Sequence, residues 1–201
     1  MKVCDLMIPE PITVSEKASI QDAIETMKIN SIRHLPVVNK QNHLKGFVTL
    51  ADLKAGLLPS MIGDVTLTDL IIRDPIVVGP DDDVEIAAQL IYKHKIGGMP
   101  VVEDGKLAGI ITETDILRAF IDMMGILTSS SRIDVVIEEK PGAFKKAAQI
   151  IEDSGGDVIN VGMAARKRGK RTYYFRLSAC KTNGIRNALE KEGFSVTANM
   201  D

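Results

Sequence analysis

The chain repeats itself. The phrase Gly46-Phe-Val-Thr49-Leu-Ala-Asp52 returns 63 residues later as Gly109-Ile-Ile-Thr112-Glu-Thr-Asp115. A shift of 64 residues also lays Asp5-Leu6 on Asp69-Leu70. It lays Pro11-Ile-Thr-Val14 on Pro75-Ile-Val-Val78, and Leu35-Pro36-Val-Val on Met99-Pro100-Val-Val. Matches at scattered apolar and turn positions over such a period mark a duplicated supersecondary unit. The halves run about 1–56 and 65–121, joined by "LLPSMIGDVT" at 57–66. One such unit buries too little surface to stand alone, so the two are expected to pack together.

Each half reads as strand, helix, strand, strand, helix. "ITV" and "IVV" after the prolines are short strands. Ser19 and Asp83 are N-cap residues. Behind them Ile20, Ala23, Ile24 and Met27, and Val84, Ala87, Ala88 and Ile91, recur at helical spacing. "LPVV" and "MPVV" are strands, each followed by a turn and a second strand in the manner of a hairpin. Thr49 and Thr112 then open another helix.

A polar, serine-rich break at 125–132, "GILTSSSR", marks the boundary of a different unit. "RIDVVIE" is a strand with apolar residues spaced by two, and "PGAFKKAAQIIEDSGG" is a helix stopped by two glycines. "DVINVGM" and "TYYFRLS" are strands around the turn "KRGKR". "NGIRNALEKEG" is a helix and "FSVTAN" a last strand. That is βαββαβ, the ferredoxin-like order. The fold class expected is therefore α/β (α+β). The expected domains are residues 1–60 and 61–124 for the two repeats, a linker at 125–131, and 132–201 for the last unit.

The formal net charge is -2 at pH 7, so no global basic field points to nucleic acid. Two distant cysteines, Cys4 and Cys180, suggest reduced thiols in a cytosol rather than a disulfide framework. The first residues lack an apolar signal core, and no run approaches the roughly 18 apolar residues of a membrane span. Three scattered histidines, without HExxH or CxxC, give no metal site. No Ser/His/Asp or Cys/His constellation assembles, which argues against catalysis.

Thr-x-x-Asp supports two readings. As a capping box, the hydroxyl accepts from the N3 amide while the acid reaches back to the N-cap amide; Ser19-x-x-Asp22 reads as no more than that. As a ligand site, a strand ending on a helix start offers N–H groups to phosphate. The threonine would add a donor, and the aspartate could accept from vicinal ribose hydroxyls. Spacing alone leaves both open. Upstream, Arg33-His34 in the first half could reach a phosphate, whereas the second half has Gly97-Gly98. "RKRGKR" at 166–171 reads either as a solvated hairpin tip or as a contact for nucleic acid.

The doubled G-h-h-T-x-x-D with its upstream h-P-V-V resembles a tandem pair of CBS repeats (the cystathionine-β-synthase-type module) over roughly residues 1–121. The resemblance implies an adenosine ligand, such as AMP, ADP, ATP or S-adenosylmethionine, in the cleft between repeats. Thr49, Asp52, Thr112 and Asp115 match the family's phosphate and ribose contacts. Thr13-Val14 and Val77-Val78 match its adenine edge, and Arg33, His34, Pro36, Gly98, Met99 and Pro100 are further candidates. "PGAF" (141–144) and "GGDVINVG" (155–162) resemble an ACT domain, a small amino-acid-sensing module, with Gly142, Ala143, Phe144 and Asp157 as candidate amino-acid contacts. Asp157 stands where that family commonly has Asn, so weak or no amino-acid binding is expected. The order CBS–CBS–ACT resembles the acetoin-utilisation regulatory protein family. Together these imply a cytoplasmic, non-enzymatic sensor that requires no cofactor, forms a homodimer and passes its ligand state to a protein partner. The alternative is a nucleic-acid-associated regulator using the basic hairpin. The two sites are expected to differ, with the first repeat holding the more phosphorylated ligand through Arg33 and a half-protonated His34.

Overall fold

The computed structural model describes residues 1–56, 65–127, 130–167 and 169–201. Most of the inter-repeat joint, part of the serine-rich break and Arg168 lie outside them. Two compact units emerge, Met1–Ala119 and Phe120–Asp201.

In the first unit β1 (Ile8–Pro9) and β2 (Val14–Ser15) precede α1 (Ile20–Ile29), β3 (His34–Val38), β4 (Leu44–Thr49) and α2 (Leu50–Gly56). After the joint come α3 (Leu67–Leu70), α4 (Val84–His94), β5 (Gly98–Glu103), β6 (Lys106–Thr112) and α5 (Glu113–Met123). The repeats are not self-contained. One sheet runs β2-β3-β4, but the other runs β1-β6-β5, so the first repeat's leading strand pairs with the second repeat's hairpin. The exchange is mutual: Phe47 of β4 and Ile72 donate to each other's carbonyls at 3.0 and 2.9 Å. Ile8 pairs Ile110 at the equivalent position.

The cores repeat the exchange. One cluster combines Ala23, Met27, Leu35, Val37, Val48 and Leu53 with Leu67 and Ile71 from beyond the joint. The other combines Ala87, Met99, Val101, Ile111 and Ile116 with Val3 from the first residues. Val3 and Leu67 are 64 positions apart, so each repeat's leading turn plugs the other's core. Burying such an aliphatic side chain is worth about 1.5–3 kcal/mol.

This crossing explains the glycine in the doubled phrase. A Cβ at Gly46 would lie 2.8 Å from Ile72 O and collide with the Ile71 side chain; one at Gly109 would lie 2.9 Å from Ile8 O and 2.6 Å from Met7 Sδ. Only a residue without Cβ lets the arm cross there.

Two local expectations change. "IVV" is not a strand: Val78 makes one parallel bridge to Val101. Asp83 occupies the N-cap of α4 without a side-chain cap, because its carboxylate takes the Lys2 ammonium at 2.8 Å. Ser19, by contrast, makes the full capping box with Asp22.

The second unit is βαββαβ: β7 (Ser131–Glu138), α6 (Ala143–Asp153), β8 (Val158–Met163), β9 (Lys170–Leu177), α7 (Asn183–Lys191) and β10 (Ser195–Met200). The antiparallel sheet is ordered β10-β7-β9-β8. Ile133, Val135 and Ile137 of β7 and Phe175 and Leu177 of β9 face Ala147, Ile151, Ile185 and Leu189 of the helices. The strands' alternation and the helices' 3–4 spacing thus meet in one layer. On the opposite face Asp134, 5% exposed, holds Arg132 through two hydrogen bonds of 2.7 and 2.6 Å. The guanidinium lies 5.1 Å from the Tyr174 ring centre.

Candidate functional site

Two clefts related by the internal repeat open in the first unit. The larger, about 810 Å³, is bordered by Thr49, Asp52, Phe47, Ile72, Asp74-Pro75-Ile76 and Lys95-Ile96-Gly97-Gly98. The smaller, about 310 Å³, is bordered by Thr112, Asp115, Ile110, Ile8, Glu10-Pro11-Ile12 and Ser31-Ile32-Arg33-His34. Each cleft takes its Thr-x-x-Asp from one repeat and its facing walls from the other, as the crossing arms require. Both volumes fall in the usual range for small-molecule sites.

Both readings of Thr-x-x-Asp bear on the same atoms. Thr49 Oγ1 donates to Asp52 Oδ2 at 2.6 Å, Thr49 N donates to the same oxygen at 3.1 Å, and Asp52 N donates to Thr49 Oγ1 at 3.2 Å. Thr112 and Asp115 repeat this at 2.6, 2.9 and 3.4 Å. Leu50 N donates to Arg33 O, and Glu113 N to Gly97 O, at 2.9 and 3.0 Å. The helix-start amides and threonine hydroxyls that the sequence offers to a phosphate are therefore largely engaged within the protein. What remains is Oδ1 of each aspartate, which has no hydrogen-bond partner among the described residues. It can accept from ribose hydroxyls at two lone pairs. Ser19-Asp22 and Thr66-Asp69 form similar boxes away from both clefts. Position, not the box, distinguishes Asp52 and Asp115.

The charges around the clefts differ. The larger cleft has Lys54 and Lys95, whose repeat-equivalents, Leu117 and Ser31, carry no charge. Arg33 and His34 border both clefts. Arg33 approaches Glu113 at 4.0 Å, with both side chains more than half exposed. His34 stacks on Phe47 with ring centres 5.8 Å apart. A Cβ on Gly97 would come within 2.9 Å of its Nε2, so Gly97 makes room for the imidazole. Burial, aided by the Arg33 charge, holds His34 below its ordinary value of 6.5, while Glu113 and Asp52 oppose this. The shift works against the half-protonated imidazole that the sequence suggested.

Of the residues read from the sequence, Arg33, His34, Thr49, Asp52, Gly98, Thr112 and Asp115 border the clefts. Thr13, Val14, Pro36, Val77, Val78, Met99 and Pro100 do not. Val78 and Met99 are core residues, and Val14 packs on the other core. The prolines one turn earlier, Pro11 and Pro75, and the acids before them, Glu10 and Asp74, stand on the walls instead. Their match at an offset of 64 was the available signal. Phe47, Lys54, Lys95 and Glu113 carried none.

In the second unit Gly142 and Ala143 open α6 beyond the Glu138 end of β7, and Phe144 packs against Tyr173 and Phe175. Asp157 precedes β8 at the other end of the sheet, level with Ser131, and accepts from Ser178 Oγ at 2.6 Å. The four candidate amino-acid contacts are not brought together. Part of the basic hairpin is paired with acids: Arg166 and Arg171 meet Glu139 at 2.9 and 2.8 Å, and Lys170 meets Glu138 at 3.4 Å. Among the described residues no cluster of His, Cys, Asp or Glu could hold a metal ion, and no helix is long and apolar enough to cross a membrane.

Two crossed repeats enclosing two equivalent clefts define a tandem ligand-cleft module. The chain belongs to the CBS domain family, whose model matches residues 3–58 and 62–122. It is similar to the CBS domain pair of protein MJ0100, solved with 5'-methylthioadenosine and S-adenosyl-L-methionine: 31% identity, TM-score 0.56, covering 60% of this chain and 95% of that one. It is similar to CBSX2 of Arabidopsis thaliana, solved with AMP: 32% identity, TM-score 0.55, coverage 60% and 96%. It is also similar to a Vibrio cholerae protein assigned to acetoin utilization (AcuB): 32% identity, TM-score 0.56, coverage 63% and 94%. The chain spans only 41% of the length of the first curated relative it matches and 30% of the second, which is named as an enzyme.

Proposed function

We propose that this chain is a non-enzymatic regulatory sensor in which the two clefts take adenosine ligands. Asp52 and Asp115 would hold the ribose through Oδ1, the apolar walls at Phe47, Ile72 and Ile76 or Ile8, Ile12 and Ile110 would hold the base, and the cations would face the phosphate. The observation that carries this reading is the position of a half-free carboxylate on the rim of each of two equivalent clefts. The adenosine ligands in two structures of the same family support it. The second unit, residues 132–201, is proposed as an ACT-type module that assembles a homodimer, making the chain a relative of the acetoin-utilisation regulatory proteins. It would work in the cytoplasm and report to a protein partner. The pairing of Arg166, Lys170 and Arg171 with Glu138 and Glu139, and the net charge of -2, favour the ligand-sensor reading over the nucleic-acid one.

A ligand that binds only the folded protein stabilises it by about 2.7 kcal/mol at 100 times its dissociation constant. A thermal-shift panel of AMP, ATP, S-adenosylmethionine, 5'-methylthioadenosine and amino acids tests the reading. The expected result is a saturable shift with an adenosine compound that Asp52→Ala/Asp115→Ala abolishes. No shift with any of them refutes adenosine binding, and a monomeric mass by light scattering refutes the dimer.

A further inference from the structure

Arg33 borders both clefts, and among the described residues no second arginine does. We infer that Arg33 is one phosphate anchor shared by two sites, so that a phosphorylated ligand in the larger cleft turns the smaller cleft toward ligands without phosphate. This rests on the adenosine reading and names the chemical class each cleft takes.

The sharing follows from the repeat. Arg33 stands where the second repeat has Gly97, on the strand start facing Thr112 and Asp115. Gly97, facing Thr49 and Asp52, offers no side chain, and a Cβ there would meet His34 Nε2 at 2.9 Å. The Arg33 side chain is 66% exposed and reaches toward Glu113 on the rim of the larger cleft, so it can turn either way. His34 stacks on Phe47 and is crowded by Gly97, and unlike Arg33 it carries no permanent charge or forked donor set. The larger cleft has two further cations, Lys54 and Lys95, against Asp52, Asp74 and Glu113. The smaller cleft has Glu10 and Asp115 and, among the described residues, no lysine or arginine but Arg33. A guanidinium committed to one phosphate has its fork engaged and cannot meet a second. With Arg33 drawn away, the smaller cleft keeps only negative charges and repels phosphate, while an uncharged nucleoside loses nothing.

The outcome is negative coupling specific to phosphate. Losing a charge-assisted hydrogen bond corresponds to about a tenfold change in affinity. Calorimetric titration of the full chain with AMP and with adenosine reads it. AMP is expected to bind in two steps, the second at least about tenfold weaker, and adenosine in two steps of similar strength. Asp52→Ala, which cripples the larger cleft, is expected to tighten AMP binding at the smaller cleft about tenfold relative to the second wild-type step. A merely structural role does not predict a gain from a deletion. Arg33→Ala is expected to abolish the coupling between AMP sites, and adenosine binding at the smaller cleft of the Asp52 variant shows that this variant is folded. Two equal AMP steps, or coupling that persists in Arg33→Ala, overturn the inference and leave the adenosine reading standing. Absence of binding by both compounds overturns both.

Discussion

Replacing Gly46 by alanine tests whether the crossing arm, rather than a turn, requires that glycine. The new methyl group would sit 2.8 Å from Ile72 O, where ordinary contact begins near 3.4 Å, so the arm must retreat by about 0.6 Å. That retreat carries the Phe47 N···Ile72 O hydrogen bond from 3.0 Å to the limit of useful distance. It also pushes Ile71, 8% exposed, out of the core. Overpacking costs about 1–3 kcal/mol and an unmade buried backbone bond about 1–3 kcal/mol. The reduced freedom of the unfolded chain returns about 0.4–1 kcal/mol. The net loss is about 2–4 kcal/mol, or about 8–16 °C in the melting of a unit of this size. Calorimetry resolves the first unit's transition from the second's. Gly184→Ala is the control, because no neighbour lies within 4 Å of a Cβ at that position. The arm carries Ile72, Asp74, Pro75 and Ile76 into the larger cleft. Gly46→Ala should therefore weaken binding there more than at the smaller cleft, and Gly109→Ala should do the reverse. If Gly46→Ala melts within about 2 °C of the wild type, the steric account of the doubled glycine is wrong.

In the second unit, Arg132→Leu strands the Asp134 carboxylate, and chemical unfolding should show a loss of about 3–5 kcal/mol, much of it recovered in Arg132→Leu/Asp134→Leu. Asp22 and Asp69 are held below their ordinary 3.8 by the hydroxyls and amides of Ser19 and Thr66. The stability they add is present above pH 3.8 and is lost as pH falls through their lower folded values. Urea midpoints between pH 2 and 6 should fall accordingly, less steeply in Ser19→Ala/Thr66→Ala. His34 resists protonation in the fold, so the unfolded chain binds more protons just below its ordinary 6.5. Stability should drop as pH falls from 6.5, a slope that His34→Gln removes and an NMR titration of the imidazole checks.

Much of this was legible in the sequence because local chemistry decides it. Ser19 with Asp22 fixes a helix start, the 3–4 spacing fixes the buried faces of α1 and α4, and two-residue alternation fixes β7. The duplication was visible because Gly46 and Gly109 answer to the same packing; the equivalent plugs Val3 and Leu67 differ in residue type and showed only in the fold. What the sequence hid was which repeat supplies which wall. Thr13-Val14 and Val77-Val78 look like an edge beside the Thr-x-x-Asp of their own repeat, yet β2 packs inward and Val78 is core. His34 read as a half-charged phosphate ligand because its burial beside Gly97 depends on a contact 63 residues away. Lys54 and Lys95 carried no signal at all, since only the assembled cleft brings them to one rim.

The crossing also decides what a bound ligand can report. If each repeat closed on its own arm, a ligand would touch one repeat and leave the other unaware. Here any molecule in the larger cleft lies between Asp52 on one repeat and Pro75 and Gly98 on the other, and the smaller cleft repeats this with Asp115 and Pro11. A ligand there would spend its binding energy across the seam between repeats, and opening that seam would withdraw an arm and its plug, Val3 or Leu67. A ligand shifts an equilibrium only by its differential affinity for the two states. A cleft built from both sides would lose its site if the seam opened, so a ligand would bias the closed arrangement with most of its binding free energy. The sequence device that makes this possible is one missing Cβ per repeat, at Gly46 and Gly109.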